Sequence, residues 1–107
     1  MKPVVVLAEA SREAFEAARH YEEQADGLGH QFVRSLSEAV ERIHAHPDLY
    51  PSLGASLRKC RVRRFPYGVV YRVEGDRIVV VGVMRSVSTP VGQGRTTITV
   101  EPWSHLR

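Results

Sequence analysis

The sequence predicts an α+β fold of order β-α-α-β-β-β: an N-terminal strand, a helical hairpin, then a three-stranded antiparallel meander, all in one twisted sheet. Three observations predict it. A valine-rich stretch opens the chain, two stretches of helical apolar period follow across a glycine-rich break, and three short strand-like runs succeed one another after Pro47. Residues 3–8, "PVVVLA", are the first strand, because a row of β-branched valines suits a pleated backbone. Ser11 is the expected N-cap of a helix over 11–25, with Phe15, Ala18, Tyr21 and Ala25 recurring at helical spacing. "DGLG", 26–29, breaks that helix. A second helix over 28–45 follows, with Leu28, Phe32, Leu36, Val40 and Ile43 on one apolar stripe beside Ala39. Pro47 ends it, and 47–56 reads as a loop with two prolines and a glycine. The meander is 57–64, 67–74 and 77–84, with "EGDR" as the hairpin turn between the last two. The run "RIVVVGVM" is apolar on both faces, as a covered central strand would be. The sheet face away from the helices is left uncovered, a surface through which the chain could form a homodimer.

At 107 residues the chain is one domain able to bury a core without staples. A single cysteine, Cys60, excludes an internal disulfide and reads as a small buried hydrophobe, which fits a reducing, cytoplasmic compartment. No apolar run approaches the ~18 residues of a membrane span. The net charge of +3 and pI near 9.4 suit RNA, DNA or an acidic protein without choosing among them.

Chemistry-bearing motifs are few. His44 and His46 are two apart, whereas two histidines sharing a metal on a helix sit four apart, so no metal site and no cofactor are expected. Glu9, Glu13, Glu16, Glu22, Glu23 and Asp26 read as a solvated helix face. The informative cluster is Arg58, Lys59, Arg61, Arg63 and Arg64, within seven residues. In an extended strand Lys59, Arg61 and Arg63 form one basic row, with Cys60 and Val62 on the other face. Such a row can hold phosphate or offset developing charge, and it can equally keep a sheet edge soluble. Arg58, Lys59, Arg61, Arg63, Arg64 and Tyr67 are therefore the candidates for contact with a target or with phosphate.

The run from Val4 to about Met84 resembles the RelE/ParE superfamily of bacterial toxin–antitoxin toxins, the ParE (plasmid-stabilisation) branch in particular. The matching pieces are "A-x-x-Y-x-x-x-x-x-G-L-G-x-x-F" around 17–32, "H-P-D-L-Y-P" at 46–51, "L-R" at 57–58 and "R-R-F-P-Y-G-V-V-Y-R-V" at 63–73. The resemblance implies a helical hairpin on a curved antiparallel sheet, in agreement with the reading above. It makes Phe65-Pro66-Tyr67 the start of the third strand, with Phe65 and Tyr71 under the helices and Tyr67 reaching the surface. It also implies partners: a cognate antitoxin, and either DNA gyrase or the ribosome. RelE-like relatives cut messenger RNA on the ribosome, and on that alternative Arg61, Arg64 and Arg85 would face phosphate as catalytic cations. ParE-like relatives poison gyrase without catalysis of their own. Gly68 stands where RNA-cutting relatives tend to carry Arg, and "F-P-Y" leans the same way. The expected function is thus a ParE-like gyrase inhibitor; an inactive relative that only binds antitoxin is a further alternative.

The chain departs from the family at its end. Relatives commonly continue His-Ala-x-Arg-x-Pro-x-x-Trp after the last strand, where this chain reads Met84-Arg85-Ser86-Val87-Ser88-Thr89-Pro90. Suitable codons for Val83 to Pro90, read one base out of frame, would give His-Ala-Gln-Arg-Gln-His-Pro. Residues 1–84 are expected to form the toxin domain, and 85–107 a divergent or frame-shifted tail on which toxicity depends.

Overall fold

A computed structural model describes residues 2–88 and 98–101. The elements run β1 (Val4–Val6), α1 (Ala8–Gln24), α2 (Leu28–Ala45), β2 (Ser52–Gly54), β3 (Leu57–Arg61), β4 (Tyr67–Glu74), β5 (Arg77–Ser88) and β6 (Ile98–Glu101). They form one sheet of order β1-β5-β4-β3-β2, with β6 also on β5. β1 is parallel to β5, setting Val4 opposite Ile78 and Val6 opposite Val80, and every other pairing is antiparallel. This is the α+β architecture expected, with one more strand in the middle and one more at the end.

The hairpin α1–α2 covers one face of the sheet. Phe32, Ala39 and Ile43 of α2 are fully buried against Val69, Tyr71, Ile78 and Val80. On α1 the expected stripe holds at Ala18 and Tyr21 and fails at Phe15 and Ala25. Ala10 and Ala17 are buried, Ala14, Ala18 and Tyr21 pack against the core, and Phe15 is 64% exposed. Small side chains let α1 lie close to the sheet, and Phe15 falls on the helix flank that faces water. α1 also begins at Ala8, a turn before Ser11. Leu7 is the capping position, its carbonyl accepts the Ser11 N–H at 3.0 Å, and no side chain caps. Ala8, Glu9 and Ala10 are good helix formers, and the strand before them is only three residues long.

Two polar contacts fasten the hairpin. The Glu22 carboxylate accepts the N–H groups of Gly27 (2.9 Å) and Gly29 (3.0 Å), doing at the start of α2 what an N-cap does. These bonds hold its pKa below the ordinary carboxylate value. Gly29 cannot be replaced freely, because a Cβ there would sit 2.4 Å from the Ala18 carbonyl oxygen. Farther along α1, Glu13 accepts the Val83 N–H at 3.0 Å, beside the β-bulge between Val70 and Tyr71 of β4 and their β5 partners. Burial raises the Glu13 pKa, and the Val83 bond opposes that rise.

Residues 47–56 were expected to be a loop, and Ser52–Gly54 is in fact a short edge strand on β3. Pro, Ser and Gly conceal it in the sequence, since they are turn formers and all three strand residues are exposed. The segment before it is pinned twice: Tyr71 donates its hydroxyl to the Pro47 carbonyl and Arg58 donates to the Tyr50 carbonyl, both at 2.6 Å. The second expected strand, 57–64, stops at Arg61. The last continues from 84 to Ser88, because β4 and then β6 supply partners, with Arg85 opposite Tyr67 and Glu101. The tail 85–107 thus enters the sheet with residues 85–88 and 98–101; its remainder, where most of the divergent or frame-shifted reading falls, lies outside the described residues. Among the described residues, no helix is long and apolar enough to cross a membrane.

Candidate functional site

The connection from β3 to β4 builds the most chemically distinctive surface of the molecule. Its geometry is tight: the Val62 N–H bonds to the Tyr67 carbonyl and the Tyr67 N–H to the Phe65 carbonyl, both at 2.8 Å. Arg64 takes a left-handed backbone, φ 74°, which costs an L-residue about 1–2 kcal/mol. Val62 and Phe65 turn inward and Arg61, Arg63 and Arg64 stay exposed. This turn and β2 enclose an open cleft of about 1100 Å³. Arg42 of α2, Lys59, Arg61, Arg63 and Arg64 supply its charge, while Tyr50, Leu53, Phe65 and Pro66 supply apolar wall.

Lys59 is the best-positioned of these cations. Only 9% exposed, it donates from Nζ to Ser86 Oγ at 2.7 Å. Its stem crosses Gly68, where an added Cβ would meet Lys59 Cδ at 2.7 Å and Cγ at 2.8 Å. Gly68 is therefore the groove that lets Lys59 reach across the sheet. Burial, and then the nearby Arg61 charge, pull the Lys59 pKa down. Arg42 Nη2 donates to the Arg61 carbonyl at 2.7 Å and lies 3.7 Å from Cys60 Sγ. That anchors the turn to α2 and leaves the Arg61 side chain outward.

The structure divides the residues singled out in the sequence. Lys59, Arg61, Arg63 and Arg64 share the cleft. The expected single row on one strand face becomes a strand-plus-turn cluster, since Arg63 and Arg64 lie beyond β3, and Lys59 is buried. Arg58 is occupied by the Tyr50 carbonyl. Tyr67, expected at the surface, is 1% exposed and belongs to an aromatic cluster with Tyr21, Phe32 and Phe65, its ring 5.1 Å from Phe32. The reason is register: Tyr67 follows Phe65 by two residues and shares its inward face. Burial, and then Tyr21, raise the Tyr67 pKa, while Arg85 opposes the rise. Phe65 and Tyr71 are buried as expected. Tyr71 is pushed up to about 12, chiefly by burial. Arg85 pairs across the strands with Tyr67 and is not part of the cleft lining that holds Arg61 and Arg64.

Arg42 and Ser86 escaped the sequence reading. Nothing local marks either one: Arg42 is one more polar residue in the last turn of α2, and Ser86 lies in a stretch whose strand character shows only once β4 pairs with it. No carboxylate and no imidazole lines the cleft among the described residues. Its cluster of cations suits an anion. Among the described residues, no group of three or more His, Cys, Asp and Glu side chains could hold a metal ion.

Comparison with known proteins gives a consistent picture. A family model described as the ParE toxin of type II toxin–antitoxin systems matches residues 4–88. A solved structure of the chromosomal ParDE TA system from P. aeruginosa superposes with a TM-score of 0.60 at 19% identity, covering 79% of this chain and 96% of that one. At that identity the likeness speaks for the fold. No curated protein sequence matches.

Proposed function

This chain belongs to the ParE toxin family of type II toxin–antitoxin systems, and from that premise we propose that it inhibits DNA gyrase and is neutralised by a cognate antitoxin. The observation that carries the reading is the unbroken family match over residues 4–88, which spans the whole helical hairpin and β1 through β5. Inhibition by contact, and not by catalysis, is supported by the cleft. Among the described residues, Arg61 and Arg64 line it without Arg85 and without a carboxylate or imidazole beside them. The space that a side chain at position 68 would need is filled by the Lys59 stem. Exposed Phe15, Leu49 and Leu53 offer apolar anchors that a protein partner such as an antitoxin would cover.

The test is a pair of reactions on one preparation of the full chain. With gyrase, ATP and plasmid DNA, supercoiling falls and protein-linked cleaved DNA accumulates. With ribosomes and messenger RNA, no new cleavage appears. Ribosome-dependent cleavage with gyrase untouched would replace this reading with the nuclease one.

A further inference from the structure

We infer that the cleft beside the β3–β4 turn grips the phosphodiester backbone of a nucleic acid. Among the described residues, Arg42, Lys59, Arg61, Arg63 and Arg64 line it, with no acidic side chain beside them. Ion pairs join Arg19 to Glu23 and Glu74 to Arg72 and Arg77, away from the cleft. The three exposed arginines of the turn therefore have no carboxylate partner among the described residues. An exposed charge cluster left unneutralised repels itself and favours a polyanion that releases its own counterions on binding.

Charge is also segregated across the molecule. α1 exposes Glu9, Glu22 and Glu23 beside Arg12 and Arg19, with Arg19 paired to Glu23, whereas the cleft carries cations alone among its described lining residues, so a net charge of only +3 understates the field there. A polyanion is repelled from α1 and steered toward the turn. The turn itself is built for display. The left-handed backbone at Arg64 keeps Arg63 and Arg64 exposed in succession, while Val62 and Phe65 anchor either side of them. Lys59 is held from below by Ser86 and Gly68, so its ammonium is already positioned. An open trough edged by exposed arginines suits a chain of phosphates, and its apolar wall of Tyr50, Leu53, Phe65 and Pro66 can lie against sugars and bases. An acidic peptide is the competing occupant, since arginine clusters also bind acidic motifs, and competition with poly-glutamate separates the two.

The inference stands on the cleft and does not need the gyrase reading; where gyrase is the target, the polymer is the DNA that gyrase carries. The test therefore omits gyrase. Fluorescence anisotropy measures binding of the full chain to a labelled random-sequence DNA duplex, and to a single-stranded RNA of equal length, across a salt titration. Two charge-matched double variants are compared, R61Q/R63Q in the cleft and R12Q/R19Q on α1, each confirmed as folded by circular dichroism. The cleft variant is expected to bind about tenfold more weakly and to flatten the slope of log K against log salt by about 1.8 on duplex, roughly 0.9 per lost phosphate contact. The α1 variant should match the parent. Tighter binding to duplex assigns the backbone to DNA, and tighter binding to RNA assigns it to RNA. Equal losses in both variants would overturn the inference, because net charge alone would then explain binding. Displacement of the nucleic acid by poly-glutamate at equal charge concentration would overturn it as well, in favour of an acidic peptide.

Discussion

Arg64 and Phe65 are neighbours in the chain and belong to two different regions of the molecule. Phe65 joins Tyr21, Phe32 and Tyr67 in an aromatic cluster, with ring centroids 4.9 Å from Tyr21 and 5.2 Å from Phe32. Across the turn, Arg61, Arg63 and Arg64 are exposed, with a left-handed backbone at Arg64, and are matched by no carboxylate among the described residues lining the cleft. The first region spends its side chains on mutual contact. The second leaves its charge to be met from outside. Stability and recognition are thus separated by one peptide bond, and a change on either side should report on one property and leave the other alone.

The largest expected break of that separation is Phe32→Ala. It removes a fully buried ring from the centre of the cluster and should cost about 3–5 kcal/mol in chemical denaturation. A loss below about 1 kcal/mol would show that the cluster is not the core of the fold. Next comes Gly68→Ala, which sits between the regions. Its Cβ would meet the Lys59 stem at 2.7 Å, so the lysine must leave Ser86, at about 1–3 kcal/mol. With burial relieved, the lowered Lys59 pKa should move back up, readable by NMR of the ammonium resonances. An unmoved Lys59 would mean that the groove does not position it.

A smaller effect, of opposite sign, is expected at Arg64. Glycine there escapes the left-handed penalty but adds freedom to the unfolded chain, so Arg64→Gly should gain about 0.5–1 kcal/mol in a thermal melt. The same change at Arg63 has no such strain to relieve and should lose stability. A site kept strained for display predicts that difference in sign, and equal losses at both positions would refute it.

The smallest effect is in the pH profile. Glu22 has its pKa lowered by bonds from Gly27 and Gly29, so its folded pKa lies below its unfolded one. Its contribution is present above the unfolded carboxylate pKa and is lost as pH falls through the depressed folded value. Glu22→Gln should therefore lower stability at neutral pH and flatten the acid limb of the stability curve, with nucleic-acid binding unchanged.

Much of the scaffold was legible because period and punctuation agree there. The α2 stripe, the Gly27–Gly29 break, the Glu74–Arg77 hairpin and the apolar β5 each carry a local signal that packing does not override. Where the reading failed, the deciding term was tertiary. Phe15 faces water because alanines serve close packing better on α1. β2 exists because β3 offers it an edge, and Tyr67 is buried by its register with Phe65. The candidate site was half legible. The arginines announced themselves by density, while Arg42 and Ser86 reach the same place from distant points of the chain and carry no mark of their own.

The most direct measurement of the central claim is made in cells. The parent chain and R61Q/R63Q are expressed separately from a tightly repressed bacterial promoter, without antitoxin, and growth and gyrase-linked chromosomal breaks are followed after induction. The account predicts arrest with breaks for the parent, and growth without breaks for the variant at equal soluble protein. Arrest by the variant equal to that by the parent, or arrest by the parent with translation lost and gyrase unaffected, would contradict it.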